Sequence, residues 1–151
     1  MTEIATLIKA IETVEQLRNP SVVKSVIGQN QNAIYFSRSP VPYVFNAPIE
    51  QWLSRTKFYE HVGLYAYRAD ILEKLVRLDV SILEKAESLE QLRWLENGFS
   101  ISVAETTTDT ICIDTPEDLQ RAERAAPAGG GEPAFAPGRL YAGFGFVVLV
   151  A

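Results

Sequence analysis

Apolar and polar positions change period repeatedly along the first 125 residues. Residues 4–11 (IATLIKAI), 22–27 (VVKSVI), 33–37 (AIYFS), 59–67 (YEHVGLYAY) and 99–105 (FSISVAE) carry the alternating or continuous apolar pattern of strands. Helical spacing takes over at 14–18, 48–55, 69–78 and 82–97, where Gly98 supplies a stop signal. A further short strand is predicted at 110–114. A last helix at 116–124 opens on Thr115-Pro116-Glu117-Asp118, which combines a capping hydroxyl, a proline suited to the first helical position and two acids at the positive helix end. Residues 28–32 read as a turn, and Pro40 and Pro42 exclude a helix or central strand across SPVPY. Strands alternating with helices predict a layered α/β fold.

Composition narrows the function classes. A chain of 151 residues is long enough to bury a core without disulfides or metals. A net charge of −5 argues against nucleic acid or an anionic membrane as partner, because both demand clustered Lys and Arg. Cys112 and His61 are each the single residue of their kind, which excludes an intrachain disulfide and a Cys/His zinc set. A reducing cytoplasm suits this usage, and the charged, amphipathic start lacks a signal-peptide pattern. Residues 126–151 are of another character, with Gly129–Gly131, three prolines and Glu132 and Arg139 as their charges. Their closing apolar run, about 12 residues, is too short for a transmembrane helix of roughly 20. The expected boundary is therefore 125/126, with a tail foreign to the domain; an edge strand or a cover for a partner surface are the other uses open to it.

Four places carry candidate chemistry. Asp114 ends an apolar strand just before a helix start, where open α/β sheets bind ligands and a carboxylate suits Mg²⁺; a capping acid on a solvated turn has the same signature. His61 and Tyr65 share one strand face with Gly63 and Tyr67, a slot for a polyhydroxylated ligand or simply a half-buried aromatic face, while Val62, Leu64 and Ala66 on the other face suit packing under helices. Glu90 and Gln91 flank the apolar stripe of the 82–97 helix, where solvated polar residues are also common. Arg38 follows a strand and has the donors to clamp a carboxylate, or serves as a surface cation. No nucleophile constellation or Walker loop appears, so no catalytic residue is assigned.

The segments AIYFSRSPVPY, YEHVGLYAYRADIL, LEKAESLEQLRWLENGFSISV and IDTPEDLQRA, preceded by IATLIKAI and NPSVVKSVI, stand in an order that resembles the carboxy-terminal half of the CMP-Kdo synthetases, the 3-deoxy-manno-octulosonate cytidylyltransferases, over roughly residues 3–124. The sialic-acid-activating synthetases are the nearest alternative. The resemblance implies a partial Rossmann-like nucleotidyltransferase sheet with flanking helices, with the amino-terminal nucleotide-binding half missing, because the family's Pro-Ala-Arg, Pro-Gly-Lys and Gly-Asp-Glu-Pro motifs are absent. It implies transfer of CMP from CTP to Kdo for lipopolysaccharide biosynthesis, in a cytoplasmic homodimer. By the same resemblance Asp114 would hold Mg²⁺, and Arg38, His61, Tyr65, Glu90 and Gln91 would line the Kdo pocket. Cys112 stands where the family usually has glycine. The chain alone is expected to be inactive, or to serve as a non-catalytic dimerisation or interaction fragment.

Overall fold

The computed structural model describes residues 2–107, 140–143 and 146–150. Strand β1 (Ile4–Ala10) leads through helix α1 (Val14–Arg18) to β2 (Lys24–Ile27) and β3 (Ala33–Ser37). A 3-10 turn (Ile49–Gln51) runs into α2 (Trp52–Arg55), followed by the long β4 (Tyr59–Arg68), α3 (Ala69–Leu75), α4 (Ile82–Glu87), α5 (Gln91–Glu96) and β5 (Ile101–Glu105). Strands β6 (Leu140–Gly143) and β7 (Phe146–Val150) close the described chain. The sheet is mixed: the order is β3-β2-β4-β1-β5, with β1 and β5 parallel and the other neighbours antiparallel. β7 pairs with β4 from Leu64 to Arg68 and carries β6 as a hairpin partner. The strand expected at 110–114, the helix at 116–124, Asp114 and the 125/126 boundary lie outside the described residues.

Local chemistry accounts for much of this. Capping boxes start α1, where Thr13 and Gln16 satisfy each other's backbone N–H groups, and α4, where Ser81 and Glu84 do the same. The main core gathers Ile4, Ile8, Phe36, Tyr65, Tyr67, Ile71, Leu92 and Ile101, while Ile11, Leu17, Trp52 and Phe58 form a second cluster below β4's start. Among the described residues no helix is long and apolar enough to cross a membrane.

Two expectations need correction. The single helix predicted over 82–97 is two, α4 and α5, separated because Ser88 adopts a left-handed backbone with φ 52°. That break drops Leu89 into the core at 5% exposure, and burying a leucine offsets the strained residue. Along β4, Val62 is buried as expected at 6% exposure, but beyond a bulge in the strand the packed and open faces are exchanged. Tyr65 and Tyr67 are the packed side chains, edge-on to Trp94 with ring centroids 5.1 and 5.5 Å apart. Leu64 and Ala66 instead border a shallow apolar depression of ≈ 250 Å³ shared with Ala5, Leu7 and Ala104.

Candidate functional site

A cleft of ≈ 540 Å³ opens where three stretches of chain meet. Ser21–Val23 lead into β2 on one side, Glu60–Gly63 and Tyr65 of β4 form the floor, and Ser88–Gln91 at the α4–α5 junction form the opposite wall, with Arg38 beside it. All five expected sugar-pocket residues, Arg38, His61, Tyr65, Glu90 and Gln91, line this one cleft. The sixth expected site residue, Asp114, lies outside the described residues. Among the described residues no three His, Cys, Asp or Glu side chains converge as a metal site.

The floor owes its shape to a bulge. β1 and β4 pair Thr6 with Tyr65 and then Leu7 with Val62, so Gly63 and Leu64 have no partner on β1. A bulge frees carbonyls from the ladder, and here the Thr6 hydroxyl reaches those of Leu64 at 2.8 Å and Val62 at 3.3 Å. The same hydroxyl oxygen stands 2.9 Å from Nε2 of His61. The imidazole packs against the rings of Phe36 and Tyr65, with centroids 5.1 and 5.0 Å away. Burial lowers its pKa from 6.5 to about 4, because desolvation disfavours the cation; His61 is neutral at physiological pH.

Tyr65 is 4% exposed, and its hydroxyl has no hydrogen-bond partner among the described residues. An orphaned buried hydroxyl is costly and rare. Burial, helped by the nearby Tyr67 and Glu90, pushes its pKa well above the usual phenol value, so it is a donor. Gln91 is buried at 4% exposure on the opposite wall, while Glu90 beside it is exposed.

Arg38 differs from the free clamp expected. Its Nε, Nη1 and Nη2 donate to the carbonyls of Glu87 (2.7 Å), Pro20 (3.1 Å) and Ser88 (3.2 Å), so the guanidinium ties the cleft's two rims together. The Glu87 carboxylate in turn accepts from Ser37 Oγ at 2.7 Å and from the Arg38 backbone N–H at 3.0 Å. Lys24, fully buried, donates through Nζ to the carbonyls of Asn19 (2.8 Å) and Val22 (2.6 Å) and braces the rim that leads into β2. Burial lowers the Lys24 pKa, with Arg38 adding to the effect and Glu87 opposing it.

Thr6 and Glu87 were not singled out from the sequence. For Thr6 a signal existed: it is the polar member of the row Ile4, Thr6, Ile8, which a strand aims at one face. For Glu87 there was none, since an acid in a helix reads as solvated.

Comparison with known proteins gives a consistent picture. The family described as "Cytidylyltransferase" matches residues 1–106. The 3-deoxy-manno-octulosonate cytidylyltransferase of Phocaeicola vulgatus is 53% identical over 125 residues, 81% of this chain and 50% of the relative. That of Cytophaga hutchinsonii is 54% identical over 120 residues, 79% of this chain and 48% of the relative. A solved structure of CMP:2-keto-3-deoxy-manno-octonic acid synthetase complexed with CTP superposes with a TM-score of 0.72 at 39% identity, covering 82% of this chain and 48% of that one. The mixed sheet with flanking helices is thus part of a Rossmann-like nucleotidyltransferase fold. The chain spans about half the length of the curated relatives it matches.

Proposed function

Because this chain belongs to the cytidylyltransferase family, we propose that it is the sugar-binding half of a 3-deoxy-manno-octulosonate cytidylyltransferase. The whole protein would transfer CMP from CTP to Kdo, with release of pyrophosphate, in lipopolysaccharide biosynthesis. One observation supports this above others: Arg38, His61, Tyr65, Glu90 and Gln91, from three separate stretches of the chain, converge on a single cleft with a buried phenol that has no partner among the described residues. Neutral imidazole, phenol and carboxamide donate and accept hydrogen bonds without imposing charge, which suits a polyhydroxylated sugar. Arg38 retains guanidinium N–H groups beyond the three already bonded, and these suit the sugar acid's carboxylate.

The anomeric hydroxyl of the sugar would attack the α-phosphorus of CTP, and the residues of this cleft would hold that hydroxyl in place. Mg²⁺ supplies charge neutralisation in such transfers. The described residues by themselves do not compose a metal site; Asp114 is the one carboxylate this chain is proposed to add, alongside the phosphates of the nucleotide. A cytoplasmic homodimer is part of the same proposal.

The test has two arms. Kdo titrated into the chain by calorimetry is expected to bind, and to bind more tightly than sialic acid. Pyrophosphate release from CTP, Kdo and Mg²⁺ is expected to be negligible for the chain alone and restored on mixing with a separately expressed amino-terminal half of a relative. A stable dimer that binds neither sugar would favour a non-catalytic interaction fragment instead.

A further inference from the structure

Thr6 is 3% exposed, between two buried isoleucines on the same face of β1, where a hydroxyl without partners would be costly. Its single proton has one strong destination, the Leu64 carbonyl at 2.8 Å, since a carbonyl only accepts. The contact of 2.9 Å with His61 Nε2 is then a bond in which the imidazole donates and the hydroxyl oxygen accepts. The opposite assignment would turn an oxygen lone pair toward the carbonyls of both Leu64 and Val62. Because burial keeps His61 neutral, a proton on Nε2 leaves Nδ1 with a lone pair. Among the described residues no hydrogen bond reaches Nδ1, on a side chain that lines the cleft.

We infer that Thr6 is a positioning residue: by bridging the bulge carbonyls and His61 it fixes the Nε2–H tautomer, so that Nδ1 is an acceptor in the cleft, one that takes a ligand hydroxyl and disfavours a carboxylate oxygen. The inference deepens the sugar-site reading and rests on it for the identity of the ligand, while the tautomer is independent of that reading. It also gives the bulge a task. A regular β4 would satisfy the Val62 and Leu64 carbonyls in the ladder, and Thr6 would have no reason to accept from the imidazole.

Long-range proton–nitrogen spectra of the ¹⁵N-labelled full chain at pH 7, without ligand, read the tautomer directly. The expected result is a pyrrole-type Nε2 and a pyridine-type Nδ1 for His61. A protonated Nδ1, or an even mixture, overturns the inference. Thr6→Val is expected to shift the ring toward a mixture of tautomers and Thr6→Ser to preserve Nε2–H; an unchanged tautomer in a folded Thr6→Val chain also overturns it. If Thr6→Val does not fold, the wild-type spectrum decides the matter, and a Thr6→Ser chain that loses the Nε2–H tautomer also overturns the inference. Added Kdo is expected to move the Nδ1 resonance and to bind wild type and Thr6→Ser alike, but Thr6→Val about tenfold more weakly, the size of one lost hydrogen bond. Wild-type spectra untouched by Kdo would remove the sugar-site reading and the hydroxyl-acceptor role with it, leaving the tautomer to stand on the ligand-free spectrum.

Discussion

Arg38 and Glu87 hold each other twice: the Arg38 backbone N–H donates to the Glu87 carboxylate at 3.0 Å, and Arg38 Nε donates to the Glu87 carbonyl at 2.7 Å. The pair joins the end of β3 to the end of α4 across 49 residues of sequence, and so holds Arg38 against the wall that carries Glu90 and Gln91. Glu87→Ala removes the acceptor for both Ser37 Oγ and the Arg38 N–H. Hydrogen bonds to a charged group are worth about 1.5–3 kcal/mol, and a loss of that size is expected in urea unfolding. Kdo affinity should fall with it, although Glu87 is not among the residues lining the cleft.

Tyr65→Phe should separate stability from binding. The phenol hydroxyl is buried without a partner among the described residues, and relieving such a group returns about 1–3 kcal/mol. The variant is expected to melt at the same or a higher temperature than wild type and to bind Kdo about tenfold more weakly. A lower melting temperature with unchanged affinity would mean that the hydroxyl serves the fold and not a ligand.

His61 predicts a pH dependence of stability. Its folded pKa of about 4 lies below the ordinary 6.5. The unfolded chain therefore binds the extra proton first as pH falls, and the folded state is penalised between those values. The contribution is fully present above pH 6.5, is lost progressively toward pH 4, and amounts to roughly 3 kcal/mol. Unfolding free energies of wild type and His61→Gln measured from pH 7 to pH 4 should differ in slope over that window, with the flatter profile for the variant.

Glu84 serves α4 in two ways. It closes the Ser81 capping box and accepts from Arg93 Nε at 2.7 Å and Nη2 at 2.6 Å, in a pair of which Glu84 is 10% and Arg93 19% exposed. Breaking a largely buried pair from one side leaves the other charge unmatched, at a cost of about 3–5 kcal/mol. Glu84→Ala is expected to reach the lower part of that range in denaturant titration, and Arg93→Met with Glu84→Gln together to cost less than Glu84→Ala alone.

The sequence determined the elements whose causes are local. The capped helix at Val14–Arg18, the strand at Ala33–Ser37, the long strand from Tyr59 and the turn before Ala33 all stand where apolar period and capping chemistry put them. The candidate residues Arg38, His61, Tyr65, Glu90 and Gln91 are nameable from the sequence, but their meeting in one cleft is the work of the fold. The tertiary structure decided what depends on partners distant in the chain. Glu87 meets β3 where α4 ends at a left-handed Ser88, a break that helical periodicity over 82–97 does not announce. The bulge at Gly63 and Leu64 exists only because β1 pairs with β4 out of step, and Thr6 meets His61 across 55 residues. Side-chain period reports which face a residue takes, but the register between two strands, and with it the proton on an imidazole, is set by hydrogen bonds that form only when both strands are in place.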